Sequence, residues 1–185
     1  MKKILFLDFE DSFTYNVVQA LEQLEVHIDV IHWSDFNSSF NYDLLVLGPG
    51  PGHPNDYLSI FPEIKNWLSH GKKLFGLCLG HQIFWQIHGL VIEKSLFPLH
   101  GQAIRLELNQ DWKNWLGFRS HHEIFVQRYN SLAVRGESQL THNFIQEGEI
   151  LLSYNNQIIT YQFHPESIGT TCPDVFFSTV GRYLL

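Results

Sequence analysis

Residues 3–8, Lys3-Ile4-Leu5-Phe6-Leu7-Asp8, form a nearly continuous apolar run, the pattern of a strand buried on both faces of a parallel sheet. Val17, Leu21 and Leu24 then recur at helical spacing, with Phe13 and Ala20 beside them, and Asp11 or Ser12 is placed to cap the helix they predict. Val26–Ile31 alternates as a second strand. Asp43–Leu47 is a third, ending in Gly48-Pro49-Gly50-Pro51-Gly52. A second helix is predicted over 57–69, with Pro62 tolerated in its first turn. The apolar run Lys73–Leu77 leads to Cys78, and Ile83, Phe84 and Ile87 mark a third helix that Gly89 ends.

Beyond Leu90 the texture changes to short β-rich pieces at 102–108, 132–135, 150–154 and 157–163, separated by polar loops, which predicts antiparallel pairing in this half. Asn155-Asn156 joins the last two as a two-residue hairpin turn, because asparagine tolerates positive φ. Residues 174–185 close the chain as an amphipathic helix. Trp112, Trp115 and Phe118 are expected to pack in or at the edge of the core, and 137–150 is assigned no role. The predicted fold class is α/β, with three layers and a mostly parallel central sheet flanked by helices. A smaller antiparallel β portion lies in the C-terminal half.

The length, 185 residues, suits one domain spanning 1–185. Twelve basic against nineteen acidic residues give a net charge of −7 with no basic block, which argues against nucleic-acid binding. No apolar run reaches the length of a membrane span and Asp8 interrupts the N-terminus early, so a cytoplasmic chain with no membrane association is expected. Two cysteines are too few for a disulfide framework and suit a reducing compartment, with Cys172 read as structural. The eleven histidines, His121-His122 included, lack zinc-motif spacing, so no metal is assigned and solvated or hydrogen-bonded histidines are expected.

Three stretches carry candidate chemistry. Gly76-Leu77-Cys78-Leu79-Gly80 reads as strand, sharp turn and helix, placing a cysteine at a helix N-terminus where free N–H groups favour a thiolate. Gly76 and Gly80 are expected to allow the tight turn and the approach of a substrate to the sulfur. The Gly-Pro loop at 48–52, at another strand's carboxyl end, can expose backbone N–H groups as an oxyanion hole. In His164-Pro165-Glu166, Pro165 is expected to hold His164 extended, so that residues two apart point the same way and Glu166 orients the imidazole. Together these supply nucleophile, oxyanion donors, base and orienter.

These motifs, with Gln162-Phe163-His164-Pro165-Glu166-Ser167, resemble the three signatures of the class I (triad-type) glutamine amidotransferases, in the right order and over nearly the whole chain. Asp11–Asn16, His100-Gly101-Gln102 and Arg128–Leu132 resemble the glutaminase subunit shared by anthranilate synthase and 4-amino-4-deoxychorismate synthase. The resemblance implies a flavodoxin-like amidotransferase fold and hydrolysis of L-glutamine to glutamate through a cysteinyl thioester. Cys78 would be the nucleophile, His164 the proton donor to departing ammonia and Glu166 its orienter. Backbone N–H groups of the Gly50–Gly52 loop, near Gly52, and of Leu79 would hold the oxyanion, while Gln82, Ser131 and Leu132 would hold the substrate.

It further implies a partner, a chorismate-binding synthase subunit that receives the ammonia, in a heterodimer or heterotetramer. No cofactor is implied in this chain, and Mg2+ is expected in the partner. The alternatives are an amidotransferase with another acceptor and a non-catalytic regulatory subunit of the same fold; the retained Cys78, His164 and Glu166 speak against the second. Three positions depart from the usual pattern: Phe9-Glu10 in the opening Asp8–Asp11, Gln102 in place of lysine, and Asn130 in place of histidine. The opening is expected to bear on partner contacts.

Overall fold

The computed structural model describes residues 1–119 and 123–185, so the His121-His122 pair lies outside the described residues. Its centre is a sheet of seven strands among those residues: β1 (Lys3–Asp8), β2 (His27–His32), β3 (Leu44–Leu47), β4 (Lys73–Leu77), β9 (His142–Gln146), β10 (Glu149–Tyr154) and β11 (Ile158–Tyr161). The spatial order is β2-β1-β3-β4-β11-β10-β9, parallel from β2 through β11, with β10 antiparallel to both of its neighbours. The first five strands follow the flavodoxin-like order, in which ligands collect beyond the carboxyl ends.

Strand alternation divides the core in two. Ile4 and Phe6 of β1, with Leu44, Val46, Phe75 and Ile159, face helices α1 (Thr14–Glu22) and α5 (Pro173–Leu184), whose Val17, Leu21, Phe176 and Val180 complete that layer. Leu5, Leu7, Leu45, Leu47, Leu74 and Ile158 face the other way, onto Ile64 and Trp67 of α2 (Phe61–Ser69) and Ile83 and Phe84 of α3 (Leu79–Ile87). Both faces of β1, β3 and β4 are therefore buried, which is why these strands read as unbroken apolar runs rather than alternating ones. At roughly 1.5–3 kcal/mol for each large side chain fully buried, these two layers supply the main drive to fold.

The rest of the C-terminal half is antiparallel. β5 (Val91–Lys94) pairs with β8 (Leu132–Arg135), and β6 (Gln102–Leu106) pairs with β7 (Ile124–Arg128). Helix α4 (Gln110–Leu116) carries Trp112 and Trp115, which pack on the core as expected, Trp115 stacking on Tyr154 at a ring separation of 3.9 Å. The stretch 137–150 holds β9, the edge strand of the main sheet.

Several local expectations are corrected. The residue preceding α1 is Phe13 and no side chain caps that helix; Asp11 Oδ1 instead accepts from the Phe13 N–H at 2.8 Å, closing a turn one residue too early. The helix expected at 57–69 begins at Phe61, after a 3-10 turn over Pro54–Ile60 kinked at Tyr57, and Pro62 falls in its first turn. The β10–β11 hairpin is shifted by one residue: Asn156 and Gln157 are central and neither has positive φ. Asn155 Oδ1 makes that turn by accepting from the N–H groups of Gln157 at 2.8 Å and Ile158 at 2.9 Å. Cys172 is exposed, with φ 49°, just before α5, so it is not part of the core. Phe9 is buried against Trp33 and Tyr57, hence unavailable to a partner, whereas Glu10 beside it is exposed.

Candidate active site

β3, β4 and β11 are neighbours in the sheet, so their carboxyl ends lie side by side, about 4.8 Å from one strand to the next. β3 runs into the Gly48–Gly52 loop, β4 into Cys78, and β11 into Gln162 and His164. Parallel pairing thus gathers segments that lie far apart in the chain, from Gly48 to His164.

At Cys78 the chain passes from strand to helix in one residue. Its N–H still donates to the Tyr161 carbonyl of β11 at 2.8 Å, while its carbonyl already accepts the first helical bond from Gln82 at 3.1 Å. Meeting both forces φ 50° and ψ −101°, a conformation that costs a non-glycine residue about 1–3 kcal/mol and persists only because both sides are held. Of the two roles expected of the flanking glycines, the tight turn is the one their close contacts bear out. A Cβ on Gly80 would lie 2.2 Å from the Leu47 carbonyl oxygen, and one on Gly76 2.9 Å from the Gly80 backbone. They let α3 lie directly on β3 and β4, rather than clearing a path to the sulfur.

His164 is fixed from behind. Its N–H donates to the Gln127 carbonyl of β7 at 2.9 Å, and its own carbonyl accepts from Thr170 Oγ1 at 3.0 Å. The chain then turns, with the Ser167 N–H on the His164 carbonyl, so that Glu166 reaches the imidazole round a turn and not along an extended strand. Glu166 Oε1 stands 2.6 Å from His164 Nδ1, with the two side chains 1% and 3% exposed. A carboxylate there assigns the proton to Nδ1. His164 Nε2 is buried without a hydrogen-bond partner among the described residues and faces Cys78. Burial alone pushes the imidazole pKa down, but the charge of the Cys78 sulfur and the Glu166 carboxylate outweigh it and raise it well above the ordinary value. Phe13 and Tyr129 pack on the ring at 5.1 and 5.0 Å, giving the cation aromatic neighbours.

Gly50, Gly52, Cys78, Leu79, Gln82, Ser131 and Leu132, every residue that the sequence assigned to the nucleophile or substrate side, line one cavity of about 140 Å³. Pro51, Tyr129 and Asn130 complete it, and His164 and Glu166 are not part of its lining. Leu79 is the first residue of α3, so its N–H has no acceptor within the helix. Tyr57 pins the opposite wall through its hydroxyl to the Pro51 carbonyl at 3.0 Å. The size suits an amino-acid-sized ligand. Larger clefts lie away from it, around Trp112, His142 and Tyr154, and hold none of these groups.

Sequence reasoning missed what stands behind this wall. Gln82 Nε2 donates to the Leu132 carbonyl and to Gln162 Oε1, both at 3.1 Å. Asn130 Nδ2 donates to the same Leu132 carbonyl at 2.8 Å and its Oδ1 accepts from Arg128 Nε at 3.0 Å. Arg128 in turn pairs with buried Glu149, which also accepts from Ser95 Oγ at 2.6 Å. Only the clustering of polar residues in Arg128–Asn130, inside a β-rich stretch, hinted at this network. Gln102, the other departure, is exposed on β6 and takes no part. Among the described residues no cluster of His, Cys, Asp or Glu is placed to hold a metal ion, and no helix is long and apolar enough to cross a membrane.

The sequence matches the family model "Glutamine amidotransferase class-I" over residues 5–180. This chain belongs to that family. It is 34% identical to anthranilate synthase component 2 of Helicobacter pylori, over 91% of this chain and 90% of that protein. It is also 34% identical to aminodeoxychorismate/anthranilate synthase component 2 of Bacillus subtilis, with the same coverage. A crystal structure from Thermoplasma acidophilum, described as part of a GMP synthase, superposes with a TM-score of 0.82 at 20% identity over all of this chain and 94% of that one, a likeness of fold. The amidotransferase is thus an α/β enzyme with cysteine, histidine and glutamate at adjoining strand ends.

Proposed function

We propose that this amidotransferase is the glutaminase subunit of a chorismate-using synthase, one domain over 1–185 acting on L-glutamine. The observation that carries this reading is the joint placement of Cys78, the His164–Glu166 pair and one small cavity at neighbouring strand ends. In the proposed sequence the Cys78 sulfur attacks the side-chain amide carbon, and the oxygen that becomes negative is held by the N–H groups of Leu79 and Gly52. The C–N bond then breaks, and His164 Nε2 gives its proton to the departing nitrogen, releasing ammonia and leaving a glutamyl thioester. Water, giving a proton back to His164, attacks the thioester; glutamate leaves and Cys78 is restored. Glu166 holds Nδ1–H throughout, so that the other nitrogen always faces the sulfur.

With both of its N–H bonds committed to Leu132 and Gln162, Gln82 offers the substrate only an oxygen, an acceptor suited to an N–H of glutamine. Gly50, Ser131 and Leu132 line the remaining wall. No cofactor is needed in these steps. Relatives called component 2, aligned over about nine-tenths of their length, support a partner that takes the ammonia to make anthranilate, 4-amino-4-deoxychorismate or both, with Mg2+ in the partner.

The test mixes the chain with each chorismate-binding synthase of its own cell, with chorismate present, and follows glutamate release and aromatic product. Cys78→Ala abolishes glutamine-dependent product while ammonia-dependent synthesis by the partner persists. Undiminished glutamate release by that variant overturns the proposal.

A further inference from the structure

The geometry points to Gln162 as a further catalytic residue, a side-chain N–H donor to the Cys78 sulfur that stabilises its negative charge before attack. The inference rests on the glutaminase reading and deepens it.

The argument is one of obligatory donors and acceptors. Gln162 is fully buried, and its Nε2 lies 3.8 Å from Cys78 Sγ, within reach of an N–H···S bond. An amide could in principle turn its oxygen to the sulfur instead, and its neighbours decide which way it stands. The Leu132 carbonyl can only accept, so the Gln82 group 3.1 Å from it is NH2. That NH2 also faces Gln162 at 3.1 Å, so the Gln162 atom it meets is the oxygen. The remaining end of Gln162, turned to Cys78, is then the NH2. Asn130, on the same carbonyl, is oriented independently. Arg128 Nε can only donate, so Asn130 turns its oxygen to Arg128 and its NH2 to the same Leu132 carbonyl. The Leu132 backbone carbonyl thus sets, through Gln82, how Gln162 presents itself to the nucleophile.

The Cys78 sulfur, with His164 on one side, meets a neutral donor on the other. When the thioester forms, the sulfur loses its charge and this bond weakens, so the donor favours the reactive form of the free site. Gln82 acts on the sulfur only through Gln162 and is a positioning group in this respect.

The test uses alkylation by iodoacetamide at pH 7, read by mass spectrometry at each cysteine peptide, with exposed Cys172 as internal reference. Gln162→Met keeps the length and removes the donor, and Gln162→Leu removes all polarity and shortens the side chain. In both, the Cys78 rate relative to Cys172 falls about ten-fold, and kcat for glutamate release with the synthase falls by a similar factor, while KM changes less than two-fold, because the sulfur and not the substrate loses a partner. An unchanged Cys78 rate in a folded variant overturns the inference. In the unsubstituted chain, the Gln162 side-chain amide protons shift in NMR spectra when Cys78 is alkylated; a resonance that stays in place overturns it independently of whether either variant folds. A wild-type chain that releases no glutamate with any synthase marks failure of the glutaminase reading instead.

Discussion

His81 and His164 are both buried histidines beside the same sheet, and they have opposite chemistry. His81 sits on α3 under the sheet, where its Nε2 meets the Ile150 carbonyl at 3.0 Å and its Nδ1 meets Thr160 Oγ1 at 2.8 Å. A carbonyl only accepts, so Nε2 carries the proton and Nδ1 accepts from the threonine. Both nitrogens are satisfied by neutral groups. Burial, assisted by the charge of Arg128, pushes its pKa down to about 3. His164 has the Glu166 carboxylate on Nδ1, the Cys78 sulfur opposite and, among the described residues, no partner on Nε2, and its pKa rises in spite of similar burial. Depth in the fold therefore does not decide whether a histidine can move protons. What decides it is whether its partners can compensate a charge and whether one nitrogen is left without a permanent partner.

The sharpest way to break this comparison is to remove each ring. His164→Ala lowers glutamate release, measured with the partner synthase, by about 10³-fold, the scale of a lost general acid–base group. His81→Leu instead lowers stability by about 3 kcal/mol, because it leaves the Thr160 hydroxyl and the Ile150 carbonyl without their partner inside the core, and leaves activity per folded molecule within a few-fold. Urea unfolding and turnover measured on the same samples separate the two. A His81→Leu chain that is stable but inactive contradicts the assignment.

A smaller effect tests the charge states. The His81 pKa in the fold, about 3, lies below its unfolded value of 6.5, so between these limits the unfolded chain binds a proton that the folded chain does not. Its contribution to stability is complete above pH 6.5 and is lost as pH falls towards 3, at up to about 1.4 kcal/mol per pH unit. His164, raised in the fold, works in the opposite sense: its contribution is present below 6.5 and is lost as pH rises through its folded value. Urea unfolding at pH 4, 5 and 6.5 reads the first effect, and His81→Leu flattens that slope while His164→Ala does not.

Much of the site was legible because its parts are local. The apolar run ending at Cys78, the glycine-rich loop after β3 and His164 two residues from Glu166 are each visible within ten residues, and parallel strands place their carboxyl ends on one edge without further information. The Gln162–Gln82–Asn130–Arg128 network was not legible. Its members lie up to eighty positions apart, and a glutamine in a β-rich run reads the same whether it donates to a sulfur or to water. The Asp11 and Asn155 turns show another limit. Asp11 was read as a helix cap and Asn155 as a turn former, but which N–H each side chain accepts from depends on where the neighbouring strand or helix pins the backbone.

By itself the sequence determined the parallel α/β layering, the catalytic candidates and their family, because these follow from the hydrophobic period and from short motifs. Tertiary structure alone decided which histidine is charged, which way each buried amide points and where the flanking glycines act. Those properties belong to pairs of groups brought together from distant parts of the chain, and a proton or an amide orientation is set by its partners rather than by the residue that carries it.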